Sequence, residues 1–164
     1  MNLETKIKVL QNFGKIKLEP LRQWKCDACG GIIEKADNGF LEWLWVDETN
    51  QEGNFRIVHK SRKCNYREND HLYLSKGMGV KDLGLEYFVG PDGLSELIGF
   101  LNERNLKDET EIYELIRRLH VPYYEQARQY YDVAEEDGLF DGTGEQSAYR
   151  YSQRVILDIL DRYA

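Results

Sequence analysis

Three cysteines and three histidines are the softest donors in this 164-residue chain, and four of these six residues fall into one pattern. Cys26 and Cys29 stand two residues apart in WKCDACGG, and Cys64 closes VHKSRKC, four residues after His59. Thiolate and imidazole are the ligands Zn²⁺ takes in structural sites, four at a time and tetrahedrally. The pattern Cys-x2-Cys, 29 residues, His-x4-Cys supplies four and uses every cysteine. Gly30 and Gly31 allow the backbone amides to turn toward the thiolates without a Cβ in the way. His59 ends a predicted strand, so its ring can face the knuckle where Cys64 folds back. Four protein ligands leave no coordination position for water, so the expected Zn²⁺ is structural rather than catalytic. Three readings compete with this one. A redox-active Cys-x2-Cys belongs at a strand-to-helix junction, whereas glycines and a strand follow here. The thiols could be unliganded, or the ligand set could differ, with His71 replacing His59 or Asp27 intruding.

The other chemistry-bearing residues form no recognisable catalytic set. The chain has no Gly-x-Ser-x-Gly, His-Glu-x-x-His, P-loop or dinucleotide-binding fingerprint. His71 has no identifiable partner, and His120 reads as a cap at the end of a helix. The expectation is therefore a non-enzymatic protein, with an enzyme of unrecognised type as a remaining alternative.

Placing the four ligands requires a small β framework. LRQWKC, FLEWLWV and NFRIVHK are rich in aromatic and β-branched residues and are bounded by turn chemistry, which predicts a three-stranded antiparallel sheet. From about residue 91 the apolar period becomes helical. Leu94, Leu97, Ile98 and Leu101 form one stripe, and Ile112, Leu115, Ile116 and Leu119 a second. Asp108 with Glu111 resembles a capping box. A third helix runs from Pro122 to Gly138 and a fourth from about 147 to 163, with GLFDGTGEQS as the loop between them. Residues 3–13 suggest a short helix. The expected class is α+β, a zinc-ribbon-like β module packed against a helical half. Its expected divisions are an N-terminal extension (1–20), the β module (21–75), a Gly-containing connector that packs as a loop (76–90) and the helical half (91–164).

Charge and composition bound the partners. No apolar run approaches the roughly 20 residues of a membrane helix, and the first residues lack a signal peptide's apolar stretch. With an odd number of cysteines, this predicts a cytoplasmic protein with no membrane partner. Residues 1–76 carry 13 Lys and Arg against 11 Asp and Glu, net +2; residues 77–164 carry 9 against 18, net −9. The first binding reading is a regulatory, protein-binding module that contacts another protein through its helical half. Tyr123, Tyr124, Tyr130 and Tyr131 come as two adjacent pairs with Arg128 between them, and tyrosines are favoured at interfaces; at least two of the four should be exposed. The second is nucleic-acid binding through Lys60, Arg62, Lys63 and Arg67 beside the proposed zinc, ranked lower because the acidic half repels phosphate.

WKCDACGGII, GFLEWLWV, FRIVHKSRKC, LEYFVGPDGLSELIGFL and ELIRRLHVPYYEQARQYYDVAEEDGLF together resemble a widespread family of small bacterial proteins of uncharacterised activity. Its members share a Trp-x-Cys-Asp-x-Cys-Gly start, a Val-His ending a strand, a later Cys, a Gly-Pro-Asp-Gly-Leu helix start and a helical C-terminal half. The resemblance spans about residues 22–140. It implies the same ligands, Cys26, Cys29, His59 and Cys64, and a bacterial or phage origin, and it implies no activity.

Overall fold

The structure is a computed structural model describing residues 1–141 and 147–164; residues 142–146, within the expected loop 138–147, lie outside the described residues. The protein is of the α+β class. Its chain forms two compact units, one of residues 22–120 and one of 1–21 with 121–164. This division differs from the expected boundaries. The helices at 93–102 and 110–120 belong with the sheet, and the N-terminal segment belongs with the C-terminal helices.

The sheet unit begins with a two-stranded ribbon, β1 (Trp24–Lys25) and β2 (Ile32–Ile33), which brackets the cysteine knuckle. A separate antiparallel sheet has the order β4–β3–β5, with β3 (Gly39–Val46) between β4 (Gln51–His59) and β5 (Met78–Gly84). The expected sheet is thus corrected in its third strand: the 21–26 stretch gives only β1, and the third strand is β5, inside the expected loop-like connector. Glycines conceal β5 because they lower strand propensity. Space is tight at one of them: a Cβ on Gly79 would stand 3.2 Å from the Trp45 ring. The polar residues of β5 are paired, Lys81 with Glu52 at 2.5 Å and Asp82 with Arg67 at 3.0 Å.

As a central strand, β3 is covered on both faces, which is why even Glu42 is fully buried within it. After the short helix α2 (Asp70–Leu74), two longer helices follow, α3 (Gly93–Asn102) and α4 (Thr110–His120). Leu97, Leu101, Leu115 and Leu119 share one core with Trp24, Leu41, Trp43, Ile57, Leu85 and Phe88. The buried face of α3 is rotated from the expected stripe. Leu94 and Ile98 are exposed, and Phe100 packs edge-on to Trp43 at 5.0 Å. The capping box also resolves differently. Asp108 accepts from Thr110, but Glu111 accepts the backbone N–H groups of Asn54 and Phe55, so it anchors β4. Truncating fully packed Leu115 to alanine should cost about 2–5 kcal/mol, measurable by denaturant unfolding.

The helical unit packs α1 (Leu3–Asn12) with α5 (Tyr124–Ala127), α6 (Tyr131–Glu136) and α7 (Gln153–Tyr163). Asn2 caps α1 and Ser152 caps α7. The expected single helix from Pro122 is interrupted by a 3₁₀ turn at Arg128–Tyr130. Its end is as expected, with Gly138 in the left-handed region at φ 74°. Among the described residues, no helix is long and apolar enough to cross a membrane.

Candidate metal centre

The knuckle is built by backbone hydrogen bonds. Cys26 N–H donates to the Gly31 carbonyl and Gly30 N–H to the Cys26 carbonyl, both at 2.8 Å. The reversal needs φ 73° at Gly30, a conformation that favours glycine. It turns Gly31 N–H onto Cys29 Sγ at 3.4 Å. A Cβ on Gly30 would meet nothing within 4 Å, so Gly30→Ala tests the backbone alone. It should cost about 1–2 kcal/mol in thermal or denaturant unfolding.

His59 sits at the end of β4, and the chain then returns through a tight turn, with Cys64 N–H donating to the Ser61 carbonyl. This brings Cys26, Cys29, His59 and Cys64 together with all four ligand atoms within 4.8 Å of one another. The His59 ring is oriented by a contact that sequence reasoning missed: Nε2 lies 3.0 Å from the Ile32 carbonyl oxygen. A carbonyl can only accept, so Nε2 donates to it and Nδ1 faces the thiols. Nδ1 lies 3.5 Å from Cys29 Sγ and 3.8 Å from Cys64 Sγ. Tetrahedral bonds of about 2.3 Å to sulfur and about 2.05 Å to nitrogen would place N and S about 3.6 Å apart. The two N···S distances stand at ligand spacing, and the histidine's other ring nitrogen meets a backbone carbonyl, as in metal-bound histidines. The pattern His-x4-Cys locates His59 but carries no signal for the Ile32 carbonyl, because the β1–β2 ribbon is only two residues long.

The alternative ligands lie elsewhere. The Asp27 carboxylate accepts from Ile57 N–H at 2.7 Å and from Arg118 Nη1 at 2.6 Å, and His71 lies in α2 outside the cluster. His120 caps no carbonyl of its own helix; its Nε2–H donates to the Phe88 carbonyl at 2.8 Å. Cys26 and Cys64 are buried, Cys29 is exposed and His59 half-buried. An open cleft of about 480 Å³ lined by Cys29, Asn38, His59 and Lys63 gives an ion a path in. A groove of about 1060 Å³ in the helical unit, along α1 and α7, is lined by no cysteine or histidine.

The thiols differ in acidity. Burial pushes the Cys64 thiol up to about 12, reinforced by the neighbouring Cys26 and Cys29. Burial also opposes ionisation of Cys26, but backbone hydrogen bonds from Cys29, His59 and Ala28 outweigh it and bring the thiol down to about 7. Metal ligation requires thiolates, so a divalent ion must displace the Cys64 proton. Loading the metal-free protein near pH 7.5 should therefore release at least one proton per ion, and affinity should fall as pH falls. Calorimetry in two buffers of different ionisation enthalpy reads this directly.

The expected partner-binding residues fare less well. None of Tyr123, Tyr124, Tyr130 and Tyr131 is exposed; Tyr124 is buried, and the other three tyrosines and Arg128 are half-buried. This corrects the expectation of at least two exposed tyrosines. The physical cause is an aromatic cluster in which Tyr131 stacks on Tyr151 at 5.4 Å and on Phe140 at 5.8 Å, and Tyr130 stacks on Tyr163 at 6.5 Å. All four of the basic set are exposed; Lys60 pairs with Glu86 and Arg67 with Asp82. No protein-family model, no curated protein and no solved structure matches the chain.

Proposed function

We propose that the sheet unit is a zinc-stabilised, non-enzymatic protein-binding or regulatory module of a bacterial or phage cytoplasm. The observation that carries this reading is the convergence of three thiols and one oriented imidazole. Zn²⁺ is the ion this donor set suits: thiolates favour soft or borderline metals over Mg²⁺ and Ca²⁺, and the N···S spacing fits a tetrahedron. Four protein donors fill that tetrahedron, so the ion acts as a cross-link. It joins the knuckle of the β1–β2 ribbon to the end of β4 and the turn after it.

The partner is another protein. With the doubled tyrosines packed inward, exposed apolar groups of the sheet unit take their place as contact candidates: Leu94 and Ile98, one turn apart on α3, and Tyr87 just before it. Ile98→Asp should leave the melting temperature within a degree or two and weaken partner capture. Affinity purification from a native host, with and without nuclease, tests the class of partner. A nuclease-resistant protein lost in Ile98→Asp supports the reading. Nuclease-sensitive, steeply salt-dependent capture that needs Arg62 and Lys63 would replace it with nucleic-acid binding.

A further inference from the structure

We propose that two arginine–carboxylate pairs, one for each half of the cysteine–histidine cluster, position its ligands and set its metal affinity: Arg118 with Asp27, and Arg56 with Glu42. The inference rests on the reading that the cluster binds zinc.

Arg118 and Asp27 hold the knuckle. Asp27, between the two cysteines, is bound to Ile57 twice: its N–H donates to the Ile57 carbonyl at 2.8 Å and its carboxylate accepts Ile57 N–H at 2.7 Å. Ile57 stands two residues before His59 on β4, so the knuckle is registered against the strand that carries the histidine. Arg118, 3% exposed, donates from Nη1 to Asp27 and from Nη2 to the Lys25 carbonyl at 3.2 Å. One guanidinium thus grips the residues on both sides of Cys26.

Arg56 and Glu42 do the same for Cys64. Arg56 Nη2 donates to the Cys64 carbonyl at 2.8 Å, and its Nε donates to Glu42 at 2.5 Å. Glu42 is fully buried and also accepts Tyr66 N–H, two residues past the ligand, at 2.9 Å. The Arg56 guanidinium lies 3.6 Å over the Tyr66 ring. The segment that carries Cys64 lies outside the strands, and this network ties it to β3 and β4, alongside the Tyr66 hydroxyl on the Asn54 carbonyl at 3.2 Å and the Arg67–Asp82 pair.

Buried ion pairs are poor general glue, because apolar residues of similar volume stabilise as well or better. Their use here is directional: each of these two pairs fixes main-chain groups within two residues of a thiolate ligand. Groups of this kind around metal ligands typically change affinity 10–100-fold when removed. Another carboxylate, the buried Glu52, pairs with Lys81 and Arg104 near the other end of β4 and touches no ligand segment, so it serves as an internal control.

The test is zinc affinity of the full chain by competition with a chromophoric chelator, together with the visible d–d spectrum of the Co²⁺-substituted protein and the melting temperature. Asp27→Asn and Glu42→Gln should each weaken zinc binding about 10–100-fold and alter the Co²⁺ spectrum. Glu52→Gln should lower the melting temperature while zinc affinity stays within about threefold. Arg118→Lys and Arg56→Lys keep the charge but lose the two-pronged grip. They should show the same loss in milder form, and they decide the matter if a carboxylate variant does not fold. Affinities within threefold of wild type in Asp27→Asn and Glu42→Gln, or in the two lysine variants, overturn the proposal. So does an equal loss in Glu52→Gln, which would mean general destabilisation. Failure of the wild-type chain itself to bind zinc would sink the underlying zinc reading instead.

Discussion

Removing the metal, by chelation or by Cys64→Ser, should largely unfold the sheet unit. Structural zinc supplies an apparent binding free energy of about 10–16 kcal/mol in zinc-finger peptides near pH 7. A domain's net stability is only about 5–15 kcal/mol. Even a fraction of the zinc term is comparable with the whole margin. The weakest parts of this unit are those the ion would join: β1 and β2 have two residues each, and a two-stranded ribbon is marginal alone. Circular dichroism and a melting scan, with and without a strong chelator, should show a large loss of melting temperature that added zinc restores. The chelated wild type separates metal loss from any cost of a serine hydroxyl at the buried Cys64 position.

Trp24→Ala should be the most damaging single substitution outside the ligands, by about 3–5 kcal/mol. Trp24 is 1% exposed and fills the core shared with Leu41, Ile57, Leu97 and Leu119. Its indole N–H donates to the Arg118 carbonyl at 3.2 Å, so truncation opens a cavity and also strips a partner from α4. Chemical unfolding monitored by far-ultraviolet circular dichroism measures the loss. A change below about 1 kcal/mol would place this tryptophan outside the core.

The residues that determine the site and the class were legible because their signals are local. Cys26, Cys29, His59 and Cys64 are set by spacing, and the helices over 93–102 and 110–120 by a 3.6-residue apolar period. What stayed hidden depends on partners distant in sequence. β5 reads as a loop because Gly79 and Gly84 interrupt its pattern, and only the fold shows the Trp45 ring close beside Gly79. Glu111 reads as half of a capping box until β4 presents two amides to it. Tyr123 and Tyr130 read as surface because one helix stripe, that of Tyr124 and Tyr131, cannot hold both pairs. Neither is exposed: a 3₁₀ turn breaks that helix, and Tyr130 stacks on Tyr163 of α7. The unit boundary was missed for the same reason. Periodicity separates strands from helices, yet it is silent on which helices share a core with the sheet.

Metal analysis combined with X-ray absorption on protein purified without chelator decides whether the cysteine–histidine cluster holds zinc. About one zinc per chain is expected, with three sulfurs at roughly 2.3 Å and one nitrogen at roughly 2.0–2.1 Å. Protein that contains no zinc, takes up none when it is supplied, and keeps its full fold and melting temperature would contradict it.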